Sequence, residues 1–157
     1  MAKLTPYRSL PVERRIDLVT RAIKANRESR VVFMHRLASR PGGFRAVTLQ
    51  SWPADKLARE VVRLRAETPQ DEFDLLHLLY VEIDPSIQIT FLDAAGVAHE
   101  QGHLPDELEP PYTDEASVKK AAEAVKTQHG EEGLRYLSTL ALYNEAGWPG
   151  IGALVEG

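Results

Sequence analysis

The sharpest chemical pattern in this chain of 157 residues is His99-Glu100-Gln101-Gly102-His103, a literal H-E-x-x-H. On a helix, the i and i+4 imidazoles share one face and can ligate zinc, while the intervening glutamate activates the metal-bound water. That chemistry requires the helix, and the local residues oppose one. Gly96 precedes the motif, Gly102 sits inside it, Pro105 follows it, and Gln101 replaces the apolar residue that would anchor such a helix. His129, Glu131 and Glu132 are the nearest downstream third ligands, and their spacing singles out none of them. The string therefore reads as a solvated loop and the expected cofactor is none. A zinc-dependent hydrolase with His99 and His103 as ligands and Glu100 as base is the alternative.

Other chemistry has less support. Asp74 and His77 have the i, i+3 spacing of carboxylate–histidine pairs in metal-binding bundles, but no second copy of the pattern exists. His77, among leucines, and His35 both read as buried neutral histidines. Zero cysteines exclude disulfides, thiolate nucleophiles and Cys-ligated metals. There is no Gly-x-Ser-x-Gly elbow, no P-loop and no G-x-G-x-x-G. Arg40-Pro41-Gly42-Gly43 reads as a turn. Tyr136, Tyr143 and Trp148 fall where a small-ligand pocket is conceivable, although aromatic residues at helical spacing usually form core.

Charge says more than any motif. The total is only -4, but residues 1–65 hold fifteen Lys or Arg against five Asp or Glu, while residues 66–157 hold four against eighteen. The halves balance at +10 and -14. Arg14, Arg21, Lys24, Arg27, Lys56, Arg59 and Arg63 fall on the outward stripes of two amphipathic helices. Such a stripe can dock an acidic protein, match the acidic half of a second copy, or neutralise phosphates; equally, the two halves can complement each other within one globule. The acidic half would repel a long duplex, and no aromatic RNA-binding signature accompanies the arginines. A protein partner or self-association is therefore favoured over nucleic acid.

The elements that must position these groups are mostly helical. Val12, Ile16, Val19 and Ile23 form one apolar stripe over 11–27, and Leu57, Val61 and Leu64 another after Pro53. Thr68-Pro69 followed by Asp71 and Glu72 reads as a cap, a first-turn proline and dipole-matching acids. The helix it opens, apolar on nearly every side through Val81, is expected to be buried and central. Thr113 with Asp114 and Glu115 starts another helix, with Val118, Ala121, Ala122 and Val125 inward, and Gly130 stops it. A last helix follows from Glu131. Segments 30–50 and 86–101 are ambiguous between helix and hairpin, and capping chemistry favours helix in both.

The composition, 43% hydrophobic and 27% charged, is that of a globular chain and opposes disorder. No stretch approaches the roughly 20 apolar residues of a membrane span. Pro6 and Arg8 interrupt the N-terminus before any signal-like run. The expectation is a mainly α, single-domain helical bundle of six or seven helices over 1–157. An α+β fold with hairpins at 30–50 and 86–101 is the alternative. The expected role is a cytoplasmic, non-catalytic interaction or regulatory module using its charge-segregated surface. A nucleic-acid accessory protein using the basic half is a further alternative; no membrane partner is expected.

Overall fold

A computed structural model describes residues 4–156, so the reading of the first three residues and the last lies outside the described residues. The fold is mainly α. Eight α-helices and one π-helical segment appear in the order α1 (Val12–Ala25), α2 (Arg27–Ala38), α3 (Ala46–Gln50), α4 (Ala54–Arg63), α5 (Pro69–His77), the π-helix (Leu78–Ile83), α6 (Ser86–Ala95), α7 (Glu115–Tyr143) and α8 (Ile151–Glu156). Among the described residues, the only pairing of extended backbone is a single bridge between Glu100 and His103. Among the described residues no helix is long and apolar enough to cross a membrane.

The hairpin alternative fails at both places for a local reason. The Asn26 side chain accepts a hydrogen bond from the Glu28 N–H at 2.8 Å and opens α2 straight through 30–38. Asp84 accepts from the Ser86 N–H and hydroxyl, at 3.2 and 2.7 Å, ahead of α6. Gly96, at φ 72°, closes that helix in the left-handed conformation that glycine adopts without strain.

The chain divides into two compact units, Met1–Leu75 and Leu76–Gly157. In the first, α1 packs on α4 and α2, and α2 packs on α3 and α4. The core is Leu18, Val19 and Ile23 of α1, Phe33 and Leu37 of α2, Leu49, and Leu57, Ala58, Val61 and Val62 of α4. The α1 stripe is turned towards Leu18, which leaves Val12 exposed. Ahead of α1, Tyr7 and Leu10 also enter the core.

Thr68 and Asp71 cap α5 reciprocally. The Thr68 N–H donates to the Asp71 carboxylate at 2.8 Å, and the Asp71 N–H donates to Oγ1 of Thr68 at 3.2 Å. The segment expected to be buried on every side is instead two-faced. Leu75, Leu76, Leu79 and Tyr80 are buried, whereas Phe73 and His77 are exposed. Its α geometry also gives way at Leu78 to a π-helix, whose last turn is closed by the Asp84 N–H donating to Leu79 O at 2.9 Å.

In the second unit α6 packs on α7, and α7 on α8. Asp114 caps α7 by accepting from the Ser117 N–H at 2.7 Å. Gly130, at φ 56° and ψ -129°, breaks α7 where the sequence places a stop, and helix resumes at once beyond it. Tyr136 and Trp148 are both buried in an aromatic cluster. Tyr136 packs edge-on against Tyr80 and Phe91, and Trp148 against Phe91 and Tyr112, with ring centroids 4.9–5.9 Å apart.

Candidate functional site

The H-E-x-x-H string is a turn, not a helix. Glu100 and His103 exchange backbone hydrogen bonds at 2.9 and 3.0 Å across Gln101 and Gly102, whose φ values are 52° and 92°. Two successive positive φ angles define the tight hairpin turn, a conformation glycine favours and a helix cannot contain. The i, i+4 spacing on which zinc ligation rests is therefore not formed. His99 is half-buried and used at both nitrogens. Nδ1 accepts from the Gly102 N–H at 3.0 Å, so Nε2 carries the proton and donates to Asp93 at 2.6 Å. His103 is exposed. Of the expected third ligands, His129 is held by Thr90 at 3.0 Å on α7, and Glu132 pairs with Arg135. Among the described residues no three His, Asp or Glu side chains gather as a metal site.

His35 and His77 both belong at the surface rather than in the core. Their ring positions follow from helix phase, since Phe33 and Leu37 take the inward side of α2, and Leu75, Leu76 and Leu79 the inward side of the α5–π segment. Asp74 accepts from Gln70 at 3.1 Å.

The seven basic residues of the expected interaction face all lie in the first unit, but they differ in state. Arg21 pairs with Asp17 one turn back at 2.9 Å, and Arg63 with Glu60 at 2.5 Å. Lys56 sits 4.6 Å over the Trp52 ring, a cation–π contact. Arg14 is half-buried. Lys24, Arg27 and Arg59 are exposed and have no ion-pair partner among the described residues.

A second group of cations, absent from the sequence reading, gathers around an open pocket of about 530 Å³ in the same unit. Three chain segments build it. The C-terminal end of α2 contributes His35 and Arg36, and the following turn contributes Arg40; Arg65 comes from the end of α4; Glu67 and Thr68 lead into α5. Gly43 N–H donates to Arg40 O at 2.8 Å across Pro41 and a left-handed Gly42, the turn expected from Arg40-Pro41-Gly42-Gly43.

Arg65 ends α4 in a left-handed conformation, φ 53°. Its N–H donates to Val62 O and the next N–H, of Ala66, to Val61 O, which is the helix-closing motif that normally carries glycine. An L-residue there stores strain.

No protein-family model, curated protein or solved structure matches this chain.

Arg36 is fixed in place by an ion pair with Asp71 and a 3.2 Å bond to Ala66 O. Beneath the pocket, Glu67 is fully engaged. It accepts from the Tyr7 hydroxyl at 2.5 Å and pairs with Arg8 at 3.5 Å, while Glu72 takes Arg8 Nε at 3.3 Å and the Thr5 hydroxyl at 2.6 Å. Burial above all, and then the bond to Glu67, push the Tyr7 hydroxyl well above its ordinary range. The acids around this pocket are thus bound to internal donors, whereas Arg40 and Arg65 have no ion-pair or side-chain hydrogen-bond partner among the described residues. The resulting surface is shallow, open and net-cationic, with a charge suited to an anion.

Proposed function

We propose that this chain is a non-catalytic interaction module whose basic N-terminal unit docks an acidic protein surface. The carrying observation is an imbalance in how the charges of that unit are used. It holds fifteen Lys or Arg against nine Asp or Glu, a balance of +6, and the second unit holds four against fourteen, a balance of -10. Five of the nine acids, Asp17, Glu60, Glu67, Asp71 and Glu72, are committed to internal pairs. Lys24, Arg27, Arg40, Arg59 and Arg65 have no such partner among the described residues. Unpaired cations on one unit steer and orient an acidic partner, and they reject a basic one. By charge, the acidic unit of a second copy fits the description.

The test is light scattering behind size exclusion at low and high salt, with parallel binding to polyglutamate and to duplex DNA. Salt-weakened self-association, or salt-weakened retention on polyglutamate, supports the reading. A salt-indifferent monomer that ignores polyglutamate overturns it, as does a clear preference for duplex DNA.

A further inference from the structure

The pocket between the end of α2, the end of α4 and the start of α5 has a charge pattern more specific than a basic surface. We infer that it binds a phosphomonoester dianion, presented as a phosphoserine or phosphothreonine side chain of the acidic partner. This rests on the reading of the N-terminal unit as a docking surface and names the group that surface selects.

Charge balance narrows the ligand. Arg36 is compensated by Asp71, and Glu67 by Tyr7 and Arg8. Two arginines without an ion-pair partner among the described residues, Arg40 and Arg65, line the pocket together with His35. A single carboxylate carries one charge, which one arginine already balances. A phosphomonoester carries about -1.5 to -2 at pH 7 and three terminal oxygens, enough for two forks at once. The volume, about 530 Å³, holds the phosphate together with the side chain that bears it.

The backbone of Arg65 supplies the second line. Arginine at a helix end can serve simply to offset the helix dipole, but that role is already filled. His35 and Arg36 occupy the last turn of α2, and Arg63 that of α4. Arg65 lies one step further, in a left-handed position where glycine would be unstrained. The strain is retained together with a guanidinium that has no internal partner. A ligand contact accounts for both.

The test titrates the full chain with inorganic phosphate, with a phosphoserine-containing acidic peptide, and with the same peptide carrying glutamate instead. Calorimetry and thermal shift provide the readouts. Saturable binding of phosphate and tighter binding of the phosphopeptide are expected, with the glutamate peptide weaker by roughly tenfold or more. Affinity should fall as pH drops below about 6, where the ester dianion takes up a proton and becomes a monoanion. Arg40→Gln should weaken phosphate binding by roughly tenfold. Arg65→Gly should raise the melting temperature of the free protein and yet lose the phosphate-induced shift, a combination that mere unfolding does not produce.

Binding of free phosphate without any gain from the peptide would reassign the site to small phosphate esters and overturn the peptide source. Absence of saturable phosphate binding, or binding unchanged in both arginine variants, overturns the site itself. If polyglutamate binding persists in that case, the docking reading survives and only this inference falls.

Discussion

A carboxylate withdrawn from water costs several kcal/mol unless donors meet it, and Glu67, with its side chain fully buried, is met by Tyr7 and Arg8. Replacing Glu67 with alanine strands the Tyr7 hydroxyl and half of the Arg8 pairing. It should cost about 3 kcal/mol in chemical denaturation, against about 2 kcal/mol for Tyr7→Phe, which removes one charge-assisted bond. A Glu67→Ala protein as stable as the parent would refute the clasp. The same cluster sets an alkaline limit. Burial raises the hydroxyl pKa of both Tyr7 and Tyr136 in the folded state, so the neutral form is favoured by folding. That contribution is complete below the ordinary tyrosine value of about 10 and is lost as pH climbs above it. Tyrosinate absorbance should show these two groups ionising only as the far-ultraviolet dichroism collapses; ionisation in an intact fold would count against their burial. Little of this cluster was legible beforehand. Glu72 reads in sequence as a dipole-matching surface acid, because nothing near it announces that Thr5 and Arg8, more than sixty residues earlier, fold back onto it. The turn at 99–103 was legible, because Gly96, Gly102 and Pro105 argue locally against a helix. The pocket was not, since Arg36, Arg40 and Arg65 meet only through the packing of α2 against α4.

Elements followed the sequence where a local signal decided them. The Thr68–Asp71 pair, Asp114 and Gly96 all act at the ends where their side chains or backbone freedom place them, whereas Asn26, which the apolar stripe over 11–27 puts inside the first helix, separates α1 from α2. The π-helix was invisible for the converse reason. Residues 75–81 are so evenly apolar that no periodicity distinguishes one helical register from another, and packing chooses. Gly130 gives the clearest element-level test. A Cβ there would meet nothing within 4 Å, so any cost of Gly130→Ala comes from the backbone at φ 56° and ψ -129°. The expected loss is about 1–3 kcal/mol by thermal or denaturant unfolding. D-alanine, for which this conformation mirrors ordinary extended backbone, should restore most of it. Gly133 is a contrasting control. There a Cβ would lie 2.7 Å from Val125 O, so Gly133→Ala must be answered by moving the chain rather than by a change of backbone conformation. If Gly130→Ala is neutral, the break in α7 is not held by the backbone of that residue. Asp114 adds a pH term at the other end of the helix. Its bonds to Ser117 lower its pKa, so its capping contribution is present above the usual carboxylate range and fades as pH falls through it.

At the scale of the whole molecule, a net charge of -4 predicts binding to an anion exchanger and rejection by a cation exchanger at neutral pH. Segregation changes that expectation. A resin senses charge within about one Debye length, roughly 10 Å at 0.1 M salt, and so reads the patch that faces it rather than the sum. The exposed Lys24, Arg27 and Arg59 should therefore hold the protein on a cation exchanger at low salt, even though its total charge is negative. Two double variants of equal net charge separate patch from total. Arg27→Glu with Arg59→Glu, and Lys119→Glu with Lys120→Glu, each change -4 by four units to -8, the first on the basic unit and the second on the exposed start of α7. Only the first should flow through the cation exchanger; the second should elute near the parent. Unchanged dichroism in both would show that the fold is not the variable, as expected for exposed side chains whose loss costs little. If both variants flow through equally, net charge governs adsorption and the basic residues of the first unit do not act as one surface. If even the parent fails to bind at the lowest salt, the docking face that the pairing pattern implies is not there to be presented.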